Sequence, residues 1–144
     1  MEEVKVNLGP KSYTIAIAAG LVDQVGPRLR VLLPQSETAV ILTDSNVGPL
    51  YGKRLARSLS QAGFQTVTLT FTAGEQSKNL RTLTELYTGL AKAGVTRSDV
   101  VVALGGGVTG DMAGLAAATF LRGVAFVQVP TSLLAMVDSS VGGK

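Results

Sequence analysis

The stretch that decides the fold reads Val100-Val101-Val102-Ala103-Leu104, then Gly105-Gly106-Gly107-Val108-Thr109-Gly110-Asp111, then an apolar, alanine-rich run to Leu121 and Arg122. An unbroken apolar run of this length is the pattern of a strand buried on both faces of a parallel sheet. The glycines make a turn, and the alanine-rich run from Asp111 to Leu121 makes a helix. Strand, turn and helix in that order set bare N–H groups at a helix N-terminus, where the dipole attracts an anion such as a pyrophosphate. Taken singly, Asp111 suits a helix start and Arg122, before Gly123, a helix end.

Working outward, the same alternation recurs. Val4 to Leu8 reads as a strand, Gly9-Pro10 as a turn, and Tyr13 to Ala18 as a hairpin partner. Leu21, Val22, Val25, Leu29 and Leu32 have helical spacing, and Pro34 ends that helix. Ala39 to Thr43 is a short strand that runs into Asp44-Ser45-Asn46. Tyr51, Leu55, Leu59 and Ala62 form a helical stripe closed by Gly63. Thr66 to Phe71 is a strand, Thr72 to Lys78 a polar loop, and Leu80 to Ala91 a helix stopped by Gly94. Val124 to Val129 is a further strand closed by Pro130, and Ser132 to Val137 opens a last helix. The pattern predicts an α/β fold: a Rossmann-like parallel sheet with flanking helices and an N-terminal β-hairpin. In such a sheet, ligands sit beyond the carboxyl ends of the strands. Asp44, the Gly74–Lys78 loop, Gly105–Asp111 and Thr131-Ser132 all follow strand ends, so they are expected to converge on one edge.

Composition narrows the chemistry. The chain has 144 residues, 46% apolar and 16% charged, which argues against disorder and suits one domain. The net charge of +3 is modest and its basic residues are scattered, and aromatics are only 5%. A nucleic-acid surface would want a basic stripe with aromatics. The uncharged stretches fall short of the ~18 residues a membrane span needs. The opening residues, with Glu2 and Glu3, lack the basic-then-apolar pattern of a signal segment, and there is no cysteine. These features point to a cytoplasmic protein with no membrane or nucleic-acid partner. Histidine is absent as well, so imidazole metal sites and triads cannot be built from these residues.

Each motif has a plain structural reading beside the functional one. Gly105, Gly107 and Gly110 satisfy G-x-G-x-x-G between a strand and a helix; the plain reading is a tight turn with close helix–sheet packing. The dinucleotide fingerprint also wants an acid at the end of the next strand. That strand ends Gln128-Val129-Pro130, leaving Asp44 as the comparable acid. Thr72-x-x-Glu75 has capping-box spacing and Ser77 suits an N-cap. Asp44 and Asn46 suit a turn. Gly142-Gly143-Lys144 is not a nucleoside-triphosphate loop, because Asp138 stands where that motif needs glycine.

Taken together, the motifs resemble one family. Asp44-Ser45-Asn46-Val47, Tyr51-Gly52, Ala73-Gly74-Glu75-Gln76-Ser77-Lys78, Ala103 to Asp111, Ala117-Ala118-Thr119-Phe120-Leu121-Arg122-Gly123 and Pro130-Thr131-Ser132 through Val141-Gly142-Gly143-Lys144 are similar, in order, to the signatures of 3-dehydroquinate synthases. The resemblance implies that residues 1–144 are an NAD-binding domain, with a helical metal- and substrate-binding domain beyond them. It implies that Asp44 and Asn46 hold the adenosine side of NAD, and that Gly74, Glu75 and Lys78 line the nucleotide pocket. Gly106, Gly107, Val108, Gly110 and Asp111 would receive the pyrophosphate and its neighbouring ribose, and Thr131 and Ser132 would also touch the cofactor. Arg122, Asp138 and Lys144 would be the catalytic residues that face the substrate, with Lys144 reaching the cofactor too. Ser132 stands where the family has a second threonine, Thr109 where it has an aliphatic residue, and Leu115 where it has phenylalanine.

The implied reaction converts 3-deoxy-D-arabino-heptulosonate 7-phosphate to 3-dehydroquinate and phosphate, in the shikimate route to chorismate and the aromatic amino acids. It proceeds by transient oxidation, elimination, reduction, ring opening and aldol closure. NAD is recycled, and a divalent metal, zinc or cobalt, is held by a glutamate and two histidines beyond Lys144. The full-length enzyme would be a homodimer, and the 144 residues alone would be inactive. The alternatives are a related sugar phosphate cyclase or metal-dependent polyol dehydrogenase on the same fold, and, in another class, a non-catalytic nucleotide-binding module.

Overall fold

The computed structural model describes residues 1–142; Gly143 and Lys144 lie outside the described residues. The chain opens with an antiparallel hairpin, β1 (Glu2–Val6) and β2 (Tyr13–Ile17), which pairs only with itself. A tight turn at Leu21–Gln24 leads into α1 (Val25–Leu32), followed by β3 (Thr38–Asp44), α2 (Lys53–Gln61), β4 (Gln65–Phe71) and α3 (Leu80–Lys92). Then come β5 (Val100–Gly105), α4 (Gly107–Thr119) and β6 (Ala125–Pro130), and a wide helical turn at Ala135–Ser139.

The main sheet has the order β4-β3-β5-β6, and all its pairs are parallel. The period-two side-chain alternation splits the central strands between two cores. Val40 and Leu42 of β3, with Val101 and Ala103 of β5, pack under Leu83, Leu86 and Leu90 of α3 and Met112, Ala113 and Ala116 of α4. On the other face Ala39, Ile41, Val100, Val102 and Leu104 meet Leu29 of α1 and Leu55 and Leu59 of α2. All of β5 is buried, which is why its sequence is apolar without alternation. Within that second layer the two helices close on each other tightly at one point: a Cβ on Gly26 of α1 would lie 1.9 Å from the backbone oxygen of Ser58 in α2.

Several boundaries differ from the expected ones. β1 begins two residues earlier than Val4, because pairing with β2 rather than apolar content sets its register. The helix expected from Leu21 is a 3-10 turn followed by α1. The stripe from Tyr51 begins in a wide turn at Gly48–Gly52 before α2. α4 starts at Gly107 rather than Asp111, so the glycine turn is itself the first turn of the helix. The cap of α3 is Asn79, whose side chain accepts the Thr82 N–H, and neither Ser77 nor a Thr72–Glu75 box caps a helix. Ser77 instead donates its hydroxyl to the Thr72 carbonyl, closing the loop on itself. Among the described residues no helix is long and apolar enough to cross a membrane.

Candidate functional site: the carboxyl rim of the sheet

The chain adds β4 on one side of β3 and then crosses back to lay β5 on the other. That reversal opens a crevice beyond the carboxyl ends of β3 and β5, where doubly wound sheets hold ligands. Asp44 ends β3 and Gly105 ends β5, so the acid and the glycine turn flank this crevice.

Hydrogen bonds tie the four loops of the rim to one another. Asp44 Oδ1 accepts the N–H groups of Asn46 and Val47, both at 2.8 Å, which folds the loop after β3. Asp44 Oδ2 accepts the Thr109 hydroxyl at 3.3 Å, joining that loop to the first turn of α4. The Ala73 N–H donates to Ser45 Oγ at 2.9 Å, joining the loops after β3 and β4. Lys78 Nζ donates to Asp111 Oδ2 at 2.8 Å, with Glu75 Oε1 at 3.9 Å, joining the loop after β4 to α4. The Thr131 N–H donates to the Gly105 carbonyl at 3.0 Å, joining the ends of β5 and β6. The hydrogen bond and charge of Asp111 hold the Lys78 ammonium above the ordinary lysine value.

The glycine turn is built for close approach. The first helical bond of α4 runs from the Gly110 N–H to the Gly106 carbonyl at 3.0 Å. The N–H groups of Gly107, Val108 and Thr109 precede that ladder and face the helix mouth. A Cβ on Gly106 would crowd Ser132 Oγ at 3.3 Å, and one on Gly107 would crowd Ser139 Oγ at 3.2 Å. The backbone therefore lies bare where side chains would otherwise fill the cradle. Ser132 Oγ also accepts the Ala135 N–H, opening the wide turn after β6. Gly74 sits at φ +120°, a conformation that side chains rarely adopt, and turns the loop after β4.

The rim thus gathers Asp44, Asn46, Gly74, Glu75, Lys78, Gly106, Gly107, Val108, Gly110, Asp111, Thr131 and Ser132 onto one side of the sheet. Two of these differ in character from the rest. Val108 packs its side chain against the apolar core, leaving its N–H as the group it can offer. Gly110 faces β6 rather than the crevice, and a Cβ there would lie 2.8 Å from Gln128 Oε1. Asp138 is exposed on the wide turn beside Ser139.

Arg122 does not lie on this rim. α4 runs back along the sheet, and its thirteen residues carry the chain about 20 Å from the glycine turn at 1.5 Å per residue. Arg122 therefore sits at the amino edge of the sheet, in a left-handed conformation (φ +65°) that it shares with Leu121 (φ +50°). Lys144, expected both to face substrate and to reach cofactor, lies outside the described residues.

Sequence reasoning missed three groups at or near the rim. Thr109 braces Asp44, Gln128 reaches the Ser140 carbonyl at 3.1 Å, and Tyr13 meets Gly142. No metal cluster exists among the described residues: no three His, Cys, Asp or Glu side chains come together.

Comparison with known proteins agrees with this geometry. Residues 68–144 match the family model described as 3-dehydroquinate synthase N-terminal. A 3-dehydroquinate synthase of Clostridium acetobutylicum is 46% identical over 144 residues, which is all of this chain and 40% of that protein. Among solved structures, 2-deoxy-scyllo-inosose synthase complexed with carbaglucose-6-phosphate, NAD+ and Co2+ superposes with a TM-score of 0.87 at 28% identity, over 96% of this chain and 37% of that one. ValA, a 2-epi-5-epi-valiolone synthase from Streptomyces hygroscopicus with NAD+ and Zn2+ bound, gives 0.79 at 32% identity, over 95% and 37%. The chain spans about 40% of the length of the curated relatives it matches. On the family match, which covers the loop after β4, the glycine turn and everything downstream, this chain belongs to the 3-dehydroquinate synthase N-terminal family.

Proposed function

We propose that residues 1–144 are the NAD-binding part of a 3-dehydroquinate synthase. The full-length protein would convert 3-deoxy-D-arabino-heptulosonate 7-phosphate to 3-dehydroquinate and phosphate. The observation that carries this reading is the bare glycine cradle at the mouth of α4, bracketed by Asp44 on one side and the Lys78–Asp111 pair on the other.

A dinucleotide fits these residues. The N–H groups of Gly107 and Val108 offer donors to a pyrophosphate, with the helix dipole behind them. Asp44 offers a carboxylate to ribose hydroxyls, and its loop is already folded around Oδ1, so little ordering remains at binding. Lys78 adds positive charge beside the pyrophosphate, and the hydroxyls of Thr131 and Ser132 extend the cradle toward β6. NAD, when bound, supplies a hydride acceptor that oxidises a substrate alcohol and later returns the hydride. Asp138 and Lys144 are assigned to the substrate, the lysine as a point charge for its anionic groups. A divalent metal does not fit the described residues, so its ligands would come from the remainder of the full-length protein.

The test is phosphate release by the full-length protein from 3-deoxy-D-arabino-heptulosonate 7-phosphate, with and without NAD and zinc. Release that needs both supports the reading; none under any condition removes it. The likeness to 2-deoxy-scyllo-inosose synthase favours a second reading, a cyclase of another sugar phosphate. Release from a hexose 6-phosphate but not from the heptulosonate would select it. The 144 residues alone are expected to release no phosphate.

A further inference from the structure

We propose that Ser139 is a further cofactor-binding residue, whose hydroxyl donates to the NAD phosphate on the nicotinamide side, and that Gln128 is its positioning residue. The inference rests on the reading above that the glycine cradle holds the pyrophosphate.

The consecutive glycines of the cradle are each faced by one serine hydroxyl from the chain after β6. Ser132 Oγ lies 3.3 Å from the place of a Cβ on Gly106, and Ser139 Oγ lies 3.2 Å from the place of a Cβ on Gly107. The two hydroxyls differ in what they already hold. Ser132 Oγ accepts the Ala135 N–H at 3.2 Å. The Ser139 hydroxyl pairs with no group among the described residues. Ser139 is also the inward residue of its turn: it is half-buried, whereas Met136, Val137 and Asp138 are exposed. An inward hydroxyl with its proton unspent, beside bare N–H groups, suits an anion. A hydrogen bond to a charged oxygen is about twice as strong as one between neutral groups.

The turn that carries Ser139 is held at both ends. It is wider than an α-helical turn, because the Ser140 N–H reaches back five residues to the Ala135 carbonyl, at 3.0 Å. Wide turns of this kind are frequent at functional sites. At its start the Met136 N–H donates to the Ser132 carbonyl at 2.9 Å. At its end Gln128 Nε2 of β6 donates to the Ser140 carbonyl at 3.1 Å. Gln128 has room to do so because Gly110 lacks a Cβ, which would lie 2.8 Å from Gln128 Oε1. β6 lies beyond β5 from β3, so this turn stands across the cradle from the Asp44 loop. With the adenosine side of NAD at Asp44, the phosphate nearest Ser139 is the one that leads to the nicotinamide ribose. A donor fixed before the ligand arrives loses little freedom on binding.

The test measures binding of NAD, ADP and AMP by calorimetry to the NAD-free full-length protein and to its Ser139→Ala, Gln128→Met and double variants. Ser139→Ala is expected to weaken NAD and ADP about ten-fold or more, with AMP affinity and the melting temperature unchanged. Gln128→Met keeps the length of the side chain and cuts the tether. It is expected to weaken NAD a few-fold, again sparing AMP, and to add nothing in the double variant, because it acts through the Ser139 hydroxyl. Wild-type NAD affinity in Ser139→Ala overturns the assignment and leaves the reading of the cradle standing. An equal loss for AMP, which carries only the adenosine-side phosphate, does the same. Full additivity in the double variant overturns the positioning role of Gln128. A wild-type protein that binds no NAD overturns the reading of the cradle and the inference together.

Discussion

Asp44 and Asp99 sit at opposite ends of the same pair of strands, and they are used in opposite ways. Asp99 precedes β5 at the amino edge and is almost fully buried. Its Oδ1 accepts the N–H groups of Glu37 and Thr38, and its Oδ2 accepts the N–H and hydroxyl of Thr96. It stitches the starts of β3 and β5 together and has nothing left to offer. Asp44, at the carboxyl rim, is half-buried, takes two N–H groups on one oxygen, and is braced on the other only by a 3.3 Å bond from Thr109. The amino edge is closed by a saturated carboxylate; the rim keeps one that is oriented and still open. A parallel sheet has chemically similar ends, and the difference between scaffold and site lies in how completely its polar groups are satisfied.

The sharpest way to break this comparison is to truncate both acids. Asp99→Ala leaves three N–H groups, that of Thr38 buried, and a hydroxyl without their acceptor, and is expected to cost about 3 kcal/mol in urea unfolding. Asp44→Ala is expected to cost about 1 kcal/mol, in line with losing a turn cap. It should, however, weaken NAD binding to the full-length protein by about ten- to a hundred-fold, as expected for lost bonds to a charged group. Equal stability losses at the two positions would mean that the rim aspartate is scaffold as well.

Acid sharpens the contrast. Burial pushes the Asp99 carboxyl up, but the bonds from Thr96, Thr38 and Glu37 outweigh it and leave the group below its ordinary value. A folded pKa below the unfolded one means that the stabilisation is complete above about pH 5 and is lost as pH falls past about 4. Wild-type stability should therefore drop below about pH 4 more steeply than that of Asp99→Asn, followed by urea unfolding at each pH. Parallel curves would show that Asp99 is not the group that titrates.

A smaller effect is expected at Thr109. The residue is fully buried, and its hydroxyl braces Asp44 Oδ2. Thr109→Val keeps the shape and removes the bond, so stability should change by less than about 1 kcal/mol and NAD affinity should fall only a few-fold. An effect as large as that of Asp44→Ala would make the brace, and not the acid, the centre of the site.

What was legible in the sequence follows the same division. The layers and the rim could be read because β5 carries five consecutive apolar residues, and because strand–helix alternation forces the loops of a parallel sheet onto one edge. Asp99 could have been suspected from Thr96-x-x-Asp99, a spacing that closes a turn before a strand, but its two partners near β3 are about sixty residues away and leave no local pattern. Gln128 registered only as the acid that was missing; its bond to Ser140 depends on Gly110 leaving space across the helix–sheet interface. Motif likeness assigned Arg122 to the substrate but carries no information on which edge of the sheet it occupies. Counting helical rise from Gly107 would have sent it to the other edge. Tyr13 and Gly142 meet across nearly the whole chain, beyond the reach of any window of periodicity.

The smallest stability effect and the most diagnostic binding effect are expected at Lys78. Its pair with Asp111 is partly exposed, and such pairs contribute little, so Lys78→Gln should change stability by less than about 0.5 kcal/mol. The ammonium is held above its ordinary pKa, so its contribution is fully present below about pH 10 and is lost only in stronger alkali. Near neutral pH the lever on this pair is therefore ionic strength rather than pH. A charge that faces a pyrophosphate within a Debye length of about 8 Å at 0.15 M salt makes NAD affinity fall as salt rises. Removing it should weaken binding at low salt and flatten that dependence. If Lys78→Gln retains the wild-type salt slope, the lysine serves only to latch the loop after β4 onto α4. The positive side of the cradle would then be left to the helix mouth alone.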